Sequence, residues 1–173
     1  AALYYLVHST WVAGGLFLLA DLIARQRGDK QALLVQGPAL QNPHLLGGLF
    51  FFGAIAVAGL PPLSGFIGKL LLLRSLEPGV QALMLWPVVL GGGLLTLVAL
   101  SRAGSMLFWR VGLSQLDSAE LDFGRLLACA GLLLLSLVLM VGAAPLLSYV
   151  EATASQLHDL ALYRQIIESG AAR

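Results

Sequence analysis

Apolar residues dominate four long stretches of the chain, and polar links separate them. The stretches cover about residues 1–24, 45–76, 80–101 and 125–147. Each is close to or longer than the ~20 residues that one helix needs to cross a bilayer. The pattern predicts an all-α membrane protein with about four transmembrane helices within residues 1–147. A C-terminal tail, 148–173, has an amphipathic helical pattern and is expected to lie on the membrane surface or to dock on a partner.

The second stretch is too long for a single crossing. Its apolar run covers residues 45–73, and Lys69 is its only charged residue. As one helix these residues would measure ~44 Å, against a hydrocarbon core of ~30 Å. Proline and small residues near the middle predict a break into two half-helices that meet at about residues 60–65. The residues expected to form this break are Pro61, Pro62, Ser64 and Gly65.

The break leaves backbone groups that need partners. The two prolines have no N–H, so carbonyls near Val57 lose their helical donors and need water or polar side chains. Ser64 is expected to cap the helix that begins near Gly65. A structural kink without any further role is the alternative interpretation.

Composition agrees with the membrane class. The chain is 58% hydrophobic and 11% charged, whereas a soluble domain has roughly 25% charged residues. The net charge of +1 comes without a basic patch, so no nucleic-acid partner is expected. The single cysteine, Cys129, predicts neither a disulfide nor a metal site. No phosphate loop, dinucleotide fingerprint or haem ligand pair is visible. We therefore expect neither a nucleophilic catalytic site nor a bound cofactor.

Lysine and arginine residues are unevenly distributed over the polar links. Six flank the first and third links, and three lie in the second link and the tail. With four crossings, the first and third links share one side of the membrane. The positive-inside bias places residues 25–41 and 102–125 in the cytoplasm and the C-terminus outside. Asp21 is expected to pair with Arg25 on one helix face.

Lys69 is the first candidate functional residue. A lysine in hydrocarbon is costly unless its amine reaches water, finds a partner or loses its proton. One interpretation is a proton-exchanging amine at the inner end of a half-channel that opens outward. The other is a side chain that snorkels toward the headgroups, since Arg74 is only ~7.5 Å further along a helix. The nearby helix N-terminus would disfavour the charged amine.

His8 is the second candidate. It lies 13 residues before Asp21, or ~20 Å along a helix, which places it near the middle of the membrane. An imidazole both gives and takes a proton near neutral pH and suits a proton relay. A histidine that is packed against a neighbouring helix is the alternative. In either case we expect it to face other helices or internal water rather than lipid.

Three segments carry a family resemblance: residues 2–10 with His8, residues 16–23 with Asp21, and residues 59–69. Together they resemble the C-terminal part of the D-type subunit of the Mrp/Pha-type monovalent cation/proton antiporters. That family is related to the antiporter-like subunits of respiratory complex I. The resemblance covers the chain in helix order and implies that this chain supplies the last four crossings of a longer protein.

The resemblance also implies residue roles. The family has a discontinuous helix with a lysine or glutamate after the break, which Lys69 matches, and a histidine on the central axis, which His8 matches. The family's glutamate and lysines on earlier helices fall outside this sequence. The implied function is proton translocation in a multisubunit Na⁺ or K⁺/proton antiporter, with other membrane subunits as partners and an inner-membrane location. The alternatives are a proton-pumping subunit of NADH dehydrogenase or membrane-bound hydrogenase, and a structural scaffold.

Overall fold

The computed structural model describes residues 1–28, 33–76, 79–109, 112 and 121–158. Within these ranges the secondary structure is helical, and a π-helical turn at Ser105–Trp109 extends the fourth helix. In chain order the α-helices are α1 (Ala2–Gln26), α2 (Pro43–Ala58), α3 (Ser64–Arg74), α4 (Val80–Gly104), α5 (Phe123–Val141) and α6 (Ala143–His158).

Three helical stretches of the described chain are long and apolar enough to cross a membrane: Ala2–Gln26, Ala82–Trp109 and Phe123–Val141. A fourth apolar unit consists of α2, which has 16 residues, followed by α3, which has 11. The prediction of an all-α membrane protein with a discontinuous second unit is confirmed.

The core forms where α1 packs along α5 and also contacts α2 and α3. One face of α1 is buried at intervals of three or four residues, the spacing of a helix face. Small residues allow this close packing. A Cβ added at Gly15 would lie 2.9 Å from the Leu133 side chain, and the Cys129 thiol donates to the Gly15 carbonyl at 3.3 Å. The buried residues of this face of α1 are Tyr4, His8, Val12, Gly15, Leu19, Leu22, Ile23 and Gln26.

Helix α4 lies at the periphery of the described bundle. It contacts α2 and α3 on one side, and none of the side chains described along it is buried. Proline at position 87 is tolerated inside the helix. The side of α4 that faces α3 adjoins the candidate site at the helix break.

The first and third links lie at the same end of the bundle, as four crossings require. The Gly112 N–H donates to the Gly37 carbonyl at 2.8 Å and joins the two links directly. Asp21 pairs with Arg25 at 2.9 Å, as predicted, and also with Arg125 at the start of α5. Four arginines lie at this end of the bundle: Arg25, Arg27, Arg102 and Arg125.

The fourth predicted helix is divided in the structure. The sequence predicts one helix through residues 125–147, but α5 ends at Val141 and α6 begins at Ala143. Pro145 has no N–H, and its ring would clash with the carbonyl of Val141 in a continuous helix. The predicted boundary at residue 147 consequently falls inside α6. The amphipathic tail from residue 159 onward lies outside the described residues, and its location stays a prediction.

Candidate ion-path site at the helix break

The break between α2 and α3 is a short turn that starts at a glycine. Gly59 adopts a left-handed conformation with φ of +74°, which glycine accepts without strain. The N–H groups of Gly59 and Leu60 both donate to the Ile55 carbonyl, at 3.1 and 3.2 Å. Pro61 and Pro62 follow and offer no N–H. The helix is thus interrupted between Ala58 and Ser64, in the segment where the sequence predicts a break.

Among the described residues, no backbone N–H donates to the last three carbonyls of α2, those of Ala56, Val57 and Ala58. A helix ends with carbonyls that have no partner within the helix, and within a membrane such groups need another donor. Lys69 donates to the carbonyls of Val57 and Ala58, and the His8 ring lies beside the carbonyl of Ala56.

Lys69 folds back toward the break. Its Nζ donates to the Ala58 carbonyl at 2.7 Å and to the Val57 carbonyl at 3.3 Å. It does not extend toward Arg74 and the end of α3, as the snorkelling interpretation requires. A Cβ added at Gly59 would lie 2.8 Å from Lys69 Cδ, so the glycine also makes room for the lysine stem.

The electrostatic setting of Lys69 differs in one respect from the expectation. From the sequence alone, the N-terminus of α3 is expected to disfavour a charged amine. The structure adds the opposing contribution, because the carbonyl end of α2 carries negative partial charge and accepts from the amine. The two helix ends therefore act in opposite directions on the same group, and the protonated amine has direct hydrogen-bond partners.

His8 is buried on the other side of the same helix end. Its exposed fraction is 3%, and its Nδ1 lies 2.8 Å from the Ser64 Oγ. Its Nε2 lies beside the Ala56 carbonyl, since a Cβ added at Gly65 would meet both atoms. A ring that carries its proton on Nε2 accepts the Ser64 hydroxyl proton at Nδ1. Within the described part of the chain the ring faces other helices, as the sequence predicts.

Ser64 does not have the capping role that the sequence predicts. Leu63 occupies the N-cap position of α3, and no side-chain capping hydrogen bond is formed there. Ser64 is the first residue of α3 and is fully buried, and its hydroxyl is in contact with His8. A helix-capping interaction would compete for the same oxygen, and the contact with His8 prevails.

Gly65 is the point where the two half-helices and α1 approach most closely. A Cβ added there would lie 2.1 Å from the Ala56 carbonyl oxygen and 2.9 Å from His8 Nε2. A side chain would thus separate the end of α2 from the start of α3. Sequence reasoning identifies Gly65 only as part of the break, because this approach depends on residues far away in the chain.

The arrangement places two groups that can exchange protons at one helix end. Lys69 donates to the carbonyls of Val57 and Ala58, and the His8 ring lies beside the carbonyl of Ala56. A cavity of about 410 Å³ adjoins Lys69 between the break and α4. The described residues contain no cluster of three or more histidine, cysteine or acidic side chains that could hold a metal ion. The chemistry that this site offers is hydrogen bonding and proton exchange.

A helical bundle with a broken membrane helix, a buried histidine and a half-buried lysine at the break has the features of ion-translocating membrane proteins. Comparison with known families agrees with this class. Residues 1–98 match the model of the family described as NADH:quinone oxidoreductase/Mrp antiporter, transmembrane. The chain belongs to this family.

Relatives with curated names include subunits of cation/proton antiporters and a subunit of an NADH-quinone oxidoreductase. The chain is 32% identical to the D-type subunit of the Na⁺/H⁺ antiporter of Alkalihalophilus pseudofirmus, over 94% of this chain and 33% of that protein. It is 31% identical to the D-type subunit of a probable K⁺/H⁺ antiporter of Rhizobium meliloti, over 90% of this chain and 34% of that protein. It is 35% identical to the N-type subunit of the NADH-quinone oxidoreductase of Heliobacterium modesticaldum, over 44% of this chain and 16% of that protein. The chain spans about a third of the length of the two antiporter proteins.

Proposed function

We propose that this chain is part of a proton-translocating subunit of a multisubunit Na⁺ or K⁺/proton antiporter. The observation that carries the proposal is the position of Lys69, whose amine binds the two last carbonyls of a broken membrane helix next to a cavity. The names of the antiporter relatives support the same function. Protons would pass through Lys69 and His8, and the cation would be carried elsewhere in the complex.

The proposed step at Lys69 is a reversible transfer of one proton. The protonated amine donates to the carbonyls of Val57 and Ala58. Release of its proton to water in the adjoining cavity leaves a neutral amine, which still has two N–H donors for the same carbonyls. Both protonation states therefore fit the site, as an exchanging group requires.

The test uses the full-length protein in its assembled complex, in everted vesicles. Lys69→Ala is expected to abolish cation-dependent proton exchange. Lys69→Arg is expected to be poor, because a guanidinium does not release its proton at accessible pH. Lys69→Glu is expected to retain part of the activity, because a carboxyl group also exchanges a proton. Arg74→Ala, which removes an exposed cation five residues further along α3, is the matched control and should exchange like the wild type.

His8 offers an independent test of the same proposal. His8→Gln keeps hydrogen-bonding capacity toward Ser64 but does not titrate. We expect this variant to assemble and to exchange protons much more slowly than the wild type. If both His8→Gln and Lys69→Ala complexes assemble and exchange at the wild-type rate, the chain has only a structural role in the bundle.

The second candidate function is that of an antiporter-like subunit in a redox-driven complex, and the similarity to an NADH-quinone oxidoreductase protein favours it. The local chemistry at Lys69 would be the same, but the energy source would differ. Proton movement that requires NADH oxidation and not a Na⁺ or K⁺ gradient would select this alternative. We further propose that the protein lies in the cell membrane, with the arginine-rich end of the bundle in the cytoplasm.

A further inference from the structure

Three consecutive glycines on α4, Gly91, Gly92 and Gly93, have different surroundings. A Cβ added at Gly91 or Gly92 would meet nothing within 4 Å. A Cβ added at Gly93 would lie 3.1 Å from Lys69 Nζ and 3.2 Å from the Ala58 carbonyl oxygen. Gly93 is therefore the member of the triplet that faces the amine and its acceptor, and it closes the site from the side of α4.

We propose that Gly93 is a positioning residue that leaves the space in which the Lys69 amine reaches the Ala58 carbonyl. This proposal rests on the proposed role of Lys69 in proton exchange. Both distances at Gly93 are shorter than ordinary contacts of a methyl group. An alanine there would press on the amine and on its acceptor together, at the point where they are 2.7 Å apart.

Such a methyl group would displace the Lys69 amine rather than the Ala58 carbonyl. The Ala58 carbonyl belongs to the end of α2, which the turn at Gly59 holds in place. The lysine stem is confined on its other side, because Cδ lies in the space that a Cβ of Gly59 would take. The tip of the lysine is flexible and borders the cavity of about 410 Å³, which Phe66 and Trp86 also line. We expect the amine to leave the Ala58 carbonyl and to move into this cavity.

The first experiment compares Gly93→Ala, Gly92→Ala and Gly91→Ala in the full-length complex. The maximal exchange rate, the cation concentration at half-maximal rate and the amount of assembled complex are measured for each. Gly93→Ala should lower the maximal rate about tenfold, the size expected when a hydrogen bond to a charged group is lost. Its half-saturating cation concentration should not change, because the proposed function places cation transport elsewhere in the complex. Both control variants should exchange like the wild type.

The second experiment separates an effect on the amine from an effect on helix packing. The thermal stability of the complex is measured for Gly93→Ala with Lys69 present and in a Lys69→Ala background. If Gly93 acts through the amine, the alanine lowers the melting temperature more when Lys69 is present than in the Lys69→Ala background, where only the contact with the Ala58 carbonyl remains. Equal losses in both backgrounds, or a Gly93→Ala complex that exchanges like Gly92→Ala, would overturn the proposal. The stability comparison does not depend on transport, so it still tests Gly93 if the function proposed for Lys69 fails.

Discussion

Gly65→Ala is the substitution that tests the architecture of the break most directly. The new Cβ would lie 2.1 Å from the Ala56 carbonyl oxygen, and real Cβ contacts are essentially never below 3.0 Å. The start of α3 and the end of α2 would have to separate by about 0.9 Å. Both contacting groups belong to backbone or to a buried ring, so no flexible side chain can absorb the displacement.

The expected cost follows from this geometry. Overpacking of a well-packed interior costs about 1–3 kcal/mol, and a backbone displacement lies at the upper end of that range. The His8–Ser64 contact spans the same point and would be strained as well. A loss of about 3 kcal/mol would change the ratio of folded to unfolded protein by about a hundredfold. We therefore expect Gly65→Ala to reduce the assembled protein strongly and to abolish transport.

The control is a glycine of the same unit whose surroundings are open. A Cβ added at Gly48 on α2 would meet nothing within 4 Å, and alanine has the higher helix propensity. Gly48→Ala should leave stability unchanged or raise it by up to about 1 kcal/mol. The measurement is the thermal unfolding of both full-length variants in detergent. A Gly65→Ala protein that unfolds at the same temperature as Gly48→Ala would refute the close approach of the two half-helices.

Three further predictions concern other parts of the bundle. Ser136 is fully buried, and its hydroxyl has no hydrogen-bond partner among the described residues. Ser136→Ala should therefore raise the melting temperature, by the equivalent of about 1 kcal/mol. Cys129→Ala on the same helix face should lower it. A lower melting temperature for Ser136→Ala would contradict the prediction. Asp21→Asn should weaken the ion pairs with Arg125 and Arg25. Because all three side chains are partly exposed, the loss of stability should be small and should shrink in high salt. A reporter enzyme that is active only outside the cytoplasm should be active when fused to the C-terminus, and an inactive fusion would contradict the orientation.

The break and the burial of His8 could be predicted from the sequence because their causes are local. An apolar run that is too long for the membrane must bend or break, and Pro61 and Pro62 fix where it does so. A histidine near the middle of an apolar helix needs a partner and so turns toward other helices. Neither inference requires knowledge of which helices pack together.

The partners of these residues could not be predicted, because they depend on tertiary contacts. The sequence predicts Ser64 as the cap of α3, and only the approach of α1 shows that its hydroxyl is in contact with His8, 56 residues away. The sequence likewise does not determine where the Lys69 side chain points, since it is long enough to reach either the headgroups or the break. The distinct role of Gly93 requires the position of α4 relative to the end of α2.

The helix break itself explains why ionisable side chains lie at this position. Ending α2 inside the membrane leaves the carbonyls of Ala56, Val57 and Ala58 in need of donors, and neutral apolar side chains supply none. Lys69 supplies them for Val57 and Ala58, so the group that would exchange protons also completes the backbone. A glutamate at position 69 could donate to these carbonyls only as the carboxylic acid, because a carboxylate has no proton to donate. Lys69→Glu should accordingly exchange protons while losing its backbone partner in the ionised state, which is the physical reason to expect partial rather than full activity.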